Sequence, residues 1–161
     1  MTSTRIKTAL KLMDAVNKMD MATALSLRTP TCTHLFAPDS LGARPPLDNT
    51  AYTAQLSGFS SAVKEMPVTI KEIMEDEKQN RVIVWSTGLL RFQDIAKDEG
   101  LSDEQWEHRG EYIFILSMDE SGEKIERVVE FVDSKAAENL RTLVARAKKN
   151  LEAKFPKASD A

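Results

Sequence analysis

Two strand-like segments near the C-terminus carry chemically active side chains among residues typical of a protein core. Residues 111–118 contain the phenol of Tyr112, and residues 125–133 contain the carboxylate of Glu130. Between them, residues 119–122 are Asp-Glu-Ser-Gly, which is typical of a type I turn closed by a glycine bulge. This turn predicts that Tyr112 lies directly opposite Glu130, with Cβ atoms about 5 Å apart. The two side chains could then act on one ligand.

Glu130 is the predicted acid or base, because a carboxylate is seldom buried unless it is paired or functional. The alternative is a structural role, in which Glu130 bonds to Tyr112 and holds the end of the sheet in place. Tyr112 could polarise a carbonyl or relay a proton, and its alternative role is packing. A carboxylate and a phenol on one face are suited to general acid–base catalysis.

The two histidines of the chain fall where they could reach the same face. His108 precedes Tyr112 by four residues, so strand alternation places both on one side of the sheet. His34 lies on a short predicted strand and has the same parity as Cys32 and Phe36. Both histidines are candidate catalytic residues, although a lone histidine on a strand is more often structural or at the surface.

Four further side chains form the predicted substrate-binding set. Trp85 could line an apolar pocket, and Arg91 could neutralise a substrate oxyanion from the end of a strand. Ordinary core packing and a solvated surface charge are the respective alternatives. Phe114 and Phe36 complete the set as aromatic residues.

Composition argues against several classes of function. The 161-residue chain has a formal charge of −3, and its lysines and arginines are interleaved with acids, which argues against a nucleic-acid partner. No segment has the length and hydropathy of a signal peptide or membrane span, and the single cysteine is typical of a cytoplasmic protein. The sequence has no metal-ligand spacing, phosphate loop, dinucleotide fingerprint or nucleophile elbow. We therefore expect side-chain chemistry with no metal and no cofactor.

The periodicity of apolar residues predicts the order α-α-β-α-β-β-β-β-α. The first two predicted helices span about residues 4–20 and 22–27. A third helix is capped by Asp48 or Asn49, and its inner face is formed by Tyr52, Leu56, Phe59 and Val63. The last helix is capped by Ser134 with help from Asp133. The predicted strands are 31–36, 68–74, 81–87 and the two hairpin arms, with a loop or short helix at 94–104. This is an α+β fold with an antiparallel sheet, in one domain over residues 1–155 with a flexible tail at 156–161. Apolar residues on both faces of the strands predict a homodimer formed through the sheet.

Several segments resemble the SnoaL-like fungal proteins of the NTF2-like superfamily. They are residues 32–41, 68–76, 82–87, 110–112 and 124–134, within a likeness that runs from about residue 8 to residue 145. The resemblance implies a cone-shaped α+β barrel whose helices close over a curved sheet and a central cavity, usually in a dimer. It also implies that small polycyclic natural products are isomerised or cyclised in that cavity without metal or cofactor.

The resemblance also assigns roles to four residues. Glu130 matches the recurrent acid/base carboxylate of the family, and Tyr112 matches an aromatic phenol of the cavity. His108 falls where relatives can carry another hydrogen-bonding aromatic residue, and His34 falls where some carry arginine.

These observations predict a cofactor-independent isomerase or cyclase of fungal secondary metabolism. Its substrate is expected to be polycyclic and carbonyl-bearing, with a meroterpenoid as the favoured class. Two alternatives are a dehydratase of the scytalone dehydratase type and a non-catalytic binding or adaptor module.

Overall fold

A mixed six-stranded sheet, curled into a half-barrel, forms the frame of the molecule. The structure is a computed structural model that describes residues 2–156. Its helices are α1 (Thr4–Asn17), α2 (Met21–Ser26), α3 (Asn49–Ser60) and α4 (Ser134–Lys154). Its strands are β1 (Arg28–Ala37), β2 (Val63–Glu65), β3 (Val68–Asp76), β4 (Arg81–Phe92), β5 (Glu107–Met118) and β6 (Ile125–Val132).

The strand order is β1-β6-β5-β4, with β2 and β3 both paired to the far edge of β4. All pairs are antiparallel except β1–β6, which is parallel. The predicted α+β fold with a curved sheet is confirmed, and the prediction of a purely antiparallel sheet is wrong at this one pair. The reason is that no hairpin joins these strands, so local turn chemistry does not set their direction.

The predicted elements are found in their predicted order, with one strand added. Strand β2 was not predicted, and it contains Val63, which was wrongly placed on the inner face of α3. Short 3₁₀ turns at Asp94–Ala96 and Glu104–Trp106 bound the segment predicted as a loop or short helix. Of the predicted tail at 156–161, only Pro156 lies within the described residues, and the single-domain prediction stays a prediction. None of the helices among the described residues is long and apolar enough to cross a membrane.

The β5–β6 hairpin has the predicted glycine turn but a different register. Gly122 has φ +73°, and its N–H donates to the carbonyl of Asp119 at 3.0 Å. Residues 119–124 separate the two strands, and the ladder shifts by one residue between Ser117 and Met118.

The prediction that Tyr112 lies directly opposite Glu130 is therefore wrong. Tyr112 pairs with Val132, and Phe114 pairs with Glu130. The displacement is two residues, so Tyr112 and Glu130 still share one face of the sheet.

Two apolar clusters fill the inside of the half-barrel at different positions along the strands. On β4, Val84 belongs to the first cluster and Leu90 to the second. The inner-face residues between them are Ser86 and Gly88, which contribute almost no apolar surface. The sheet therefore carries a polar band between its two cores.

Each helix begins after a residue whose side chain accepts a backbone N–H, which is the usual N-cap arrangement. The capping residues are Ser3, Asp20, Asp48 and Asp133. For α4 the prediction named Ser134 as the cap, but Asp133 accepts from the N–H of Ala136 at 3.1 Å and Ser134 is already helical. Asp133 is thus the cap, and Ser134 is the first residue of the helix.

We expect Asp133→Ala to lower the free energy of unfolding by about 1 kcal/mol, because the helix loses its N-cap acceptor. Ser134→Ala is the matched control and should leave stability nearly unchanged. Urea unfolding followed by circular dichroism measures both. Equal losses in the two variants would contradict the assignment of the cap.

Candidate functional site

The polar band between the two apolar clusters gathers half of the candidate residues. We call it the polar belt, and its members are Arg28, His34, Tyr52, Ser86, His108, Tyr112 and Glu130. All but Tyr52 come from the sheet, and Tyr52 lies on α3 above it. The belt brings together the four predicted catalytic residues, whose roles stay predictions.

Glu130 and His34 form the central contact of the belt. His34 Nε2 and Glu130 Oε2 are 2.9 Å apart, and their side chains are 2% and 15% exposed. Parallel pairing of β1 with β6 sets Phe36 beside Glu130 and His34 beside Val128, so that His34 and Glu130 meet diagonally. The two side chains are therefore hydrogen-bonded to each other in an interior that excludes most solvent.

Aromatic rings hold the imidazole of His34 from two sides. The ring of Tyr52 stacks on it with centroids 4.4 Å apart and an interplanar angle of 15°. The ring of Phe36 lies 4.6 Å away. Burial raises the pKa of the Tyr52 phenol, and the negative charge of Glu130 adds to the rise. Tyr52 therefore stays neutral and can act as a hydrogen-bond donor.

Two residues behind His34 were missed by the sequence analysis. The Arg28 guanidinium lies 3.3 Å from His34 Nδ1 through Nη1, and its Nε donates to Asn49 Oδ1 at 2.7 Å. The Arg28 guanidinium also lies over the Tyr52 ring, 4.6 Å from its centroid. In the sequence, Arg28 marks only the end of a helix before a proline, and Asn49 only a possible cap. Nothing local indicates that they meet.

Tyr112 and His108 form a second contact in the belt. Tyr112 Oη and His108 Nε2 are 3.4 Å apart, as expected for residues four apart on one face of β5. Burial lowers the pKa of His108, with a smaller opposing effect from the charge of Asp133. Burial raises the pKa of Tyr112, and the charge of Glu130 adds to it. Both groups are therefore neutral, and the phenol can donate a hydrogen bond to an unprotonated imidazole nitrogen.

Two glycines make room for the Tyr112 ring. Gly88 and Gly110 are paired across β4 and β5. A Cβ on Gly110 would lie 2.5 Å from Tyr112 Oη and 3.0 Å from His108 Nε2, and one on Gly88 would lie 3.2 Å from the Tyr112 ring. The missing side chains allow Tyr112 to reach His108.

An apolar cavity of about 220 Å³ opens beside the belt. Its wall is formed by α1, α2, α3 and the segment after β2, with the residues Ala15, Val16, Met19, Asp20, Met21, Ala24, Tyr52, Leu56, Ser57, Phe59, Ser60 and Met66. Tyr52 belongs to both the wall and the belt, and Met66 lies next to Gly88. The arrangement suits a largely apolar ligand whose polar group meets the belt. Within residues 2–156, no three metal-ligating side chains are grouped to hold a metal ion.

Two of the predicted substrate-binding residues lie on the other face of the sheet. Trp85 donates to Glu111 and lies under the Lys71 ammonium, and Arg91 pairs with Glu65 and Glu107. Even-numbered residues of β4 are buried inside, so odd-numbered residues face outward. The structure therefore places Trp85 and Arg91 away from the inner-face candidates, and their substrate-binding role stays a prediction.

The two predicted phenylalanines lie on the inner face. Phe114 is directly opposite Glu130, and Phe36 packs beside His34. Both are placed where a ligand in contact with Glu130 could touch them, and their binding role stays a prediction.

Comparison with known proteins gives one relative at 30% identity and several solved structures with the same fold. Austinoid biosynthesis clusters protein H from Penicillium brasilianum is 30% identical over 131 residues, which cover 79% of this chain and 81% of that protein. The structure of BvnE pinacolase from Penicillium brevicompactum matches with a TM-score of 0.76 at 21% identity, covering 90% of this chain and 96% of that one. A protein from Shewanella denitrificans OS-217, described as a SnoaL-like polyketide cyclase, matches with a TM-score of 0.65 at 14% identity over 86% and 97% of the two chains. No protein-family model matches the chain.

We expect Gly110→Ala to displace the Tyr112 ring, because the added methyl group overlaps the phenol. Overpacking of this kind lowers the free energy of unfolding by about 1–3 kcal/mol. Gly58→Ala in α3 is the control, since its Cβ would meet nothing closer than Lys148 Nζ at 3.9 Å. That variant should gain about 0.5–1 kcal/mol from helix propensity. Urea unfolding compares them, and a Gly110→Ala protein as stable as wild type would contradict the close fit.

Proposed function

The chain belongs to the SnoaL-like family of fungal secondary-metabolite biosynthesis, and we propose that it isomerises or cyclises a polycyclic, carbonyl-bearing natural product by general acid–base catalysis. Its NTF2-like cone, expected from the sequence, is confirmed by the likeness to solved structures. The chemistry uses side chains of the polar belt, without a cofactor.

The observation that carries this proposal is the carboxylate of Glu130, which contacts His34 and shares the inner face of the sheet with the Tyr112–His108 pair. Glu130 removes a proton from a carbon next to a carbonyl, or from a hydroxyl. Tyr112, held by His108, donates a hydrogen bond to the oxyanion that develops, while His34 keeps the Glu130 side chain in place. The Glu130 carboxyl, which now carries the proton, returns it to another carbon or to the oxygen. General acid–base help of this kind contributes roughly 10²- to 10⁴-fold to the rate.

Two features support a polycyclic terpenoid-type substrate. The cavity wall is mostly apolar and includes three methionines, which adapt to irregular shapes. One relative is named for austinoid biosynthesis and one fold neighbour is named a pinacolase. A meroterpenoid is the substrate class that we propose.

Titratable side chains beside the cavity argue against a purely passive binding module. The same groups can also catalyse a dehydration, and product mass separates the two reactions. An isomerase or cyclase leaves the substrate mass unchanged, whereas a dehydratase removes one water.

We predict that Glu130→Gln abolishes conversion of a pathway intermediate, because the amide keeps the shape of the side chain and removes the base. The purified protein is incubated with a cell extract that contains pathway intermediates. Mass spectrometry then detects a product that has the same mass as the substrate consumed. The control is Glu126→Gln, at an exposed position on the same strand, which should convert at the wild-type rate. Full turnover by Glu130→Gln would overturn the mechanism.

We also propose that the protein acts as a cytoplasmic homodimer joined through the outer face of the sheet. Ile113 and Phe131 are paired on that face and are 39% and 47% exposed, which is high for large apolar residues. A cytoplasmic location is supported by the single, buried and unpaired Cys32.

Phe131→Arg is predicted to convert the dimer to a monomer, because a guanidinium would replace the centre of the apolar contact. Leu10→Arg is the control, since Leu10 is similarly exposed on α1, away from the sheet. Analytical ultracentrifugation gives the mass of each species. A monomeric wild type, or dimers in both variants, would contradict an interface at this face.

A further inference from the structure

Arg28 is a buried cation without the usual carboxylate partner. Its residue surface is 6% exposed, and none of the ion pairs formed among residues 2–156 includes it. Its Nη2 also has no hydrogen-bond partner in the described part of the chain. Buried charges are normally paired, so a guanidinium in this state calls for another role.

The partners that Arg28 does have hold it in one orientation. Asn49 donates through Nδ2 to the backbone carbonyl of Thr29 at 2.9 Å, which directs its Oδ1 to Arg28 Nε. The Tyr52 ring covers one face of the guanidinium at 4.6 Å. Arg28 Nη1 is thereby directed at Nδ1 of His34, 3.3 Å away.

This contact decides which nitrogen of His34 carries the proton. A guanidinium has only donors, so the Nδ1 that faces it must be an unprotonated acceptor. A neutral imidazole has one donor and one acceptor, so its proton lies on Nε2. That N–H points at Glu130 Oε2, 2.9 Å away, which can accept it.

We propose that Arg28 is a positioning residue that fixes His34 in its Nε2-protonated tautomer. The imidazole then donates to Glu130 Oε2, and Oε1, which receives no hydrogen bond from residues 2–156, is left for the substrate. The catalytic consequence rests on the proposed function, because it concerns the same carboxylate. The tautomer itself can be tested without any substrate.

The test is ¹⁵N NMR of the full-length protein at pH 7.5, using long-range ¹H–¹⁵N correlations of the imidazole rings. The chain has only two histidines, and the spectrum of His108→Gln assigns the remaining signals to His34. Wild type should show an unprotonated Nδ1 and a protonated Nε2 at His34. Arg28→Met should move the two ¹⁵N shifts toward each other, because both tautomers become populated. Arg28→Lys, which keeps a donor, should restore much of the wild-type pattern.

Two further variants keep the test decisive. Arg127→Met removes an exposed arginine from β6 and should leave the imidazole spectrum unchanged. If Arg28→Met does not fold, Asn49→Ala takes its place, since it releases the guanidinium without removing it and should produce a smaller shift of the same sign. An Nδ1-protonated His34 in wild type would overturn the proposal. The proposal would also be overturned if a folded Arg28→Met gave the same imidazole spectrum as wild type. If Arg28→Met does not fold, the same result in Asn49→Ala would overturn it.

With a convertible substrate in hand, Arg28→Met is expected to lower kcat by about 10-fold or more while KM changes little, with partial rescue by Arg28→Lys. A protein with the expected tautomer but no turnover would count against the proposed function alone. Turnover that is lost in Glu130→Gln but unaffected by Arg28→Met would count against the role of Arg28 alone.

Discussion

A carboxylate held inside an apolar half-barrel is the constraint on which the site depends. Glu130 lies on the inner face of β6, where an unsatisfied charge would be costly. His34 supplies the hydrogen bond, and Arg28 and Asn49 hold His34 in turn. This line of contacts requires β1 to run parallel to β6, because the antiparallel direction would place different side chains beside the carboxylate. The one parallel pair in the sheet is thus the feature that builds the site.

The polar belt interrupts what could have been one continuous core. Ser86 and Gly88 separate the two apolar clusters on β4, and His108 and Gly110 lie between Trp106 of the second cluster and Phe114 of the first. Apolar residues at these positions would bury more surface and favour folding. In this protein, polar residues and glycines occupy these core positions directly beside a cavity. Such a loss of stabilising apolar contacts is the pattern expected of a functional site.

Strand alternation and turn chemistry were enough to predict much of this site. Strand alternation placed Glu130, Tyr112 and His108 on one face. This placement is correct although the predicted register was wrong by two residues, because a shift of two residues keeps a side chain on the same face. The same parity applied to β4 would have placed Trp85 and Arg91 outside. The contact between His34 and Glu130 spans 96 residues. Such contacts depend on how distant strands pair, so the roles of Arg28 and Asn49 could not be read from their local sequence.

The most direct test of a catalytic rather than structural Glu130 compares stability with turnover in Glu130→Gln. The amide oxygen can still accept the hydrogen bond from His34, so we predict a free energy of unfolding within about 1 kcal/mol of wild type, or above it, together with loss of conversion. A structural ion pair behaves differently, because breaking a buried pair costs about 3–5 kcal/mol. A loss of that size in urea unfolding, with conversion retained, would contradict the role of Glu130 as the base.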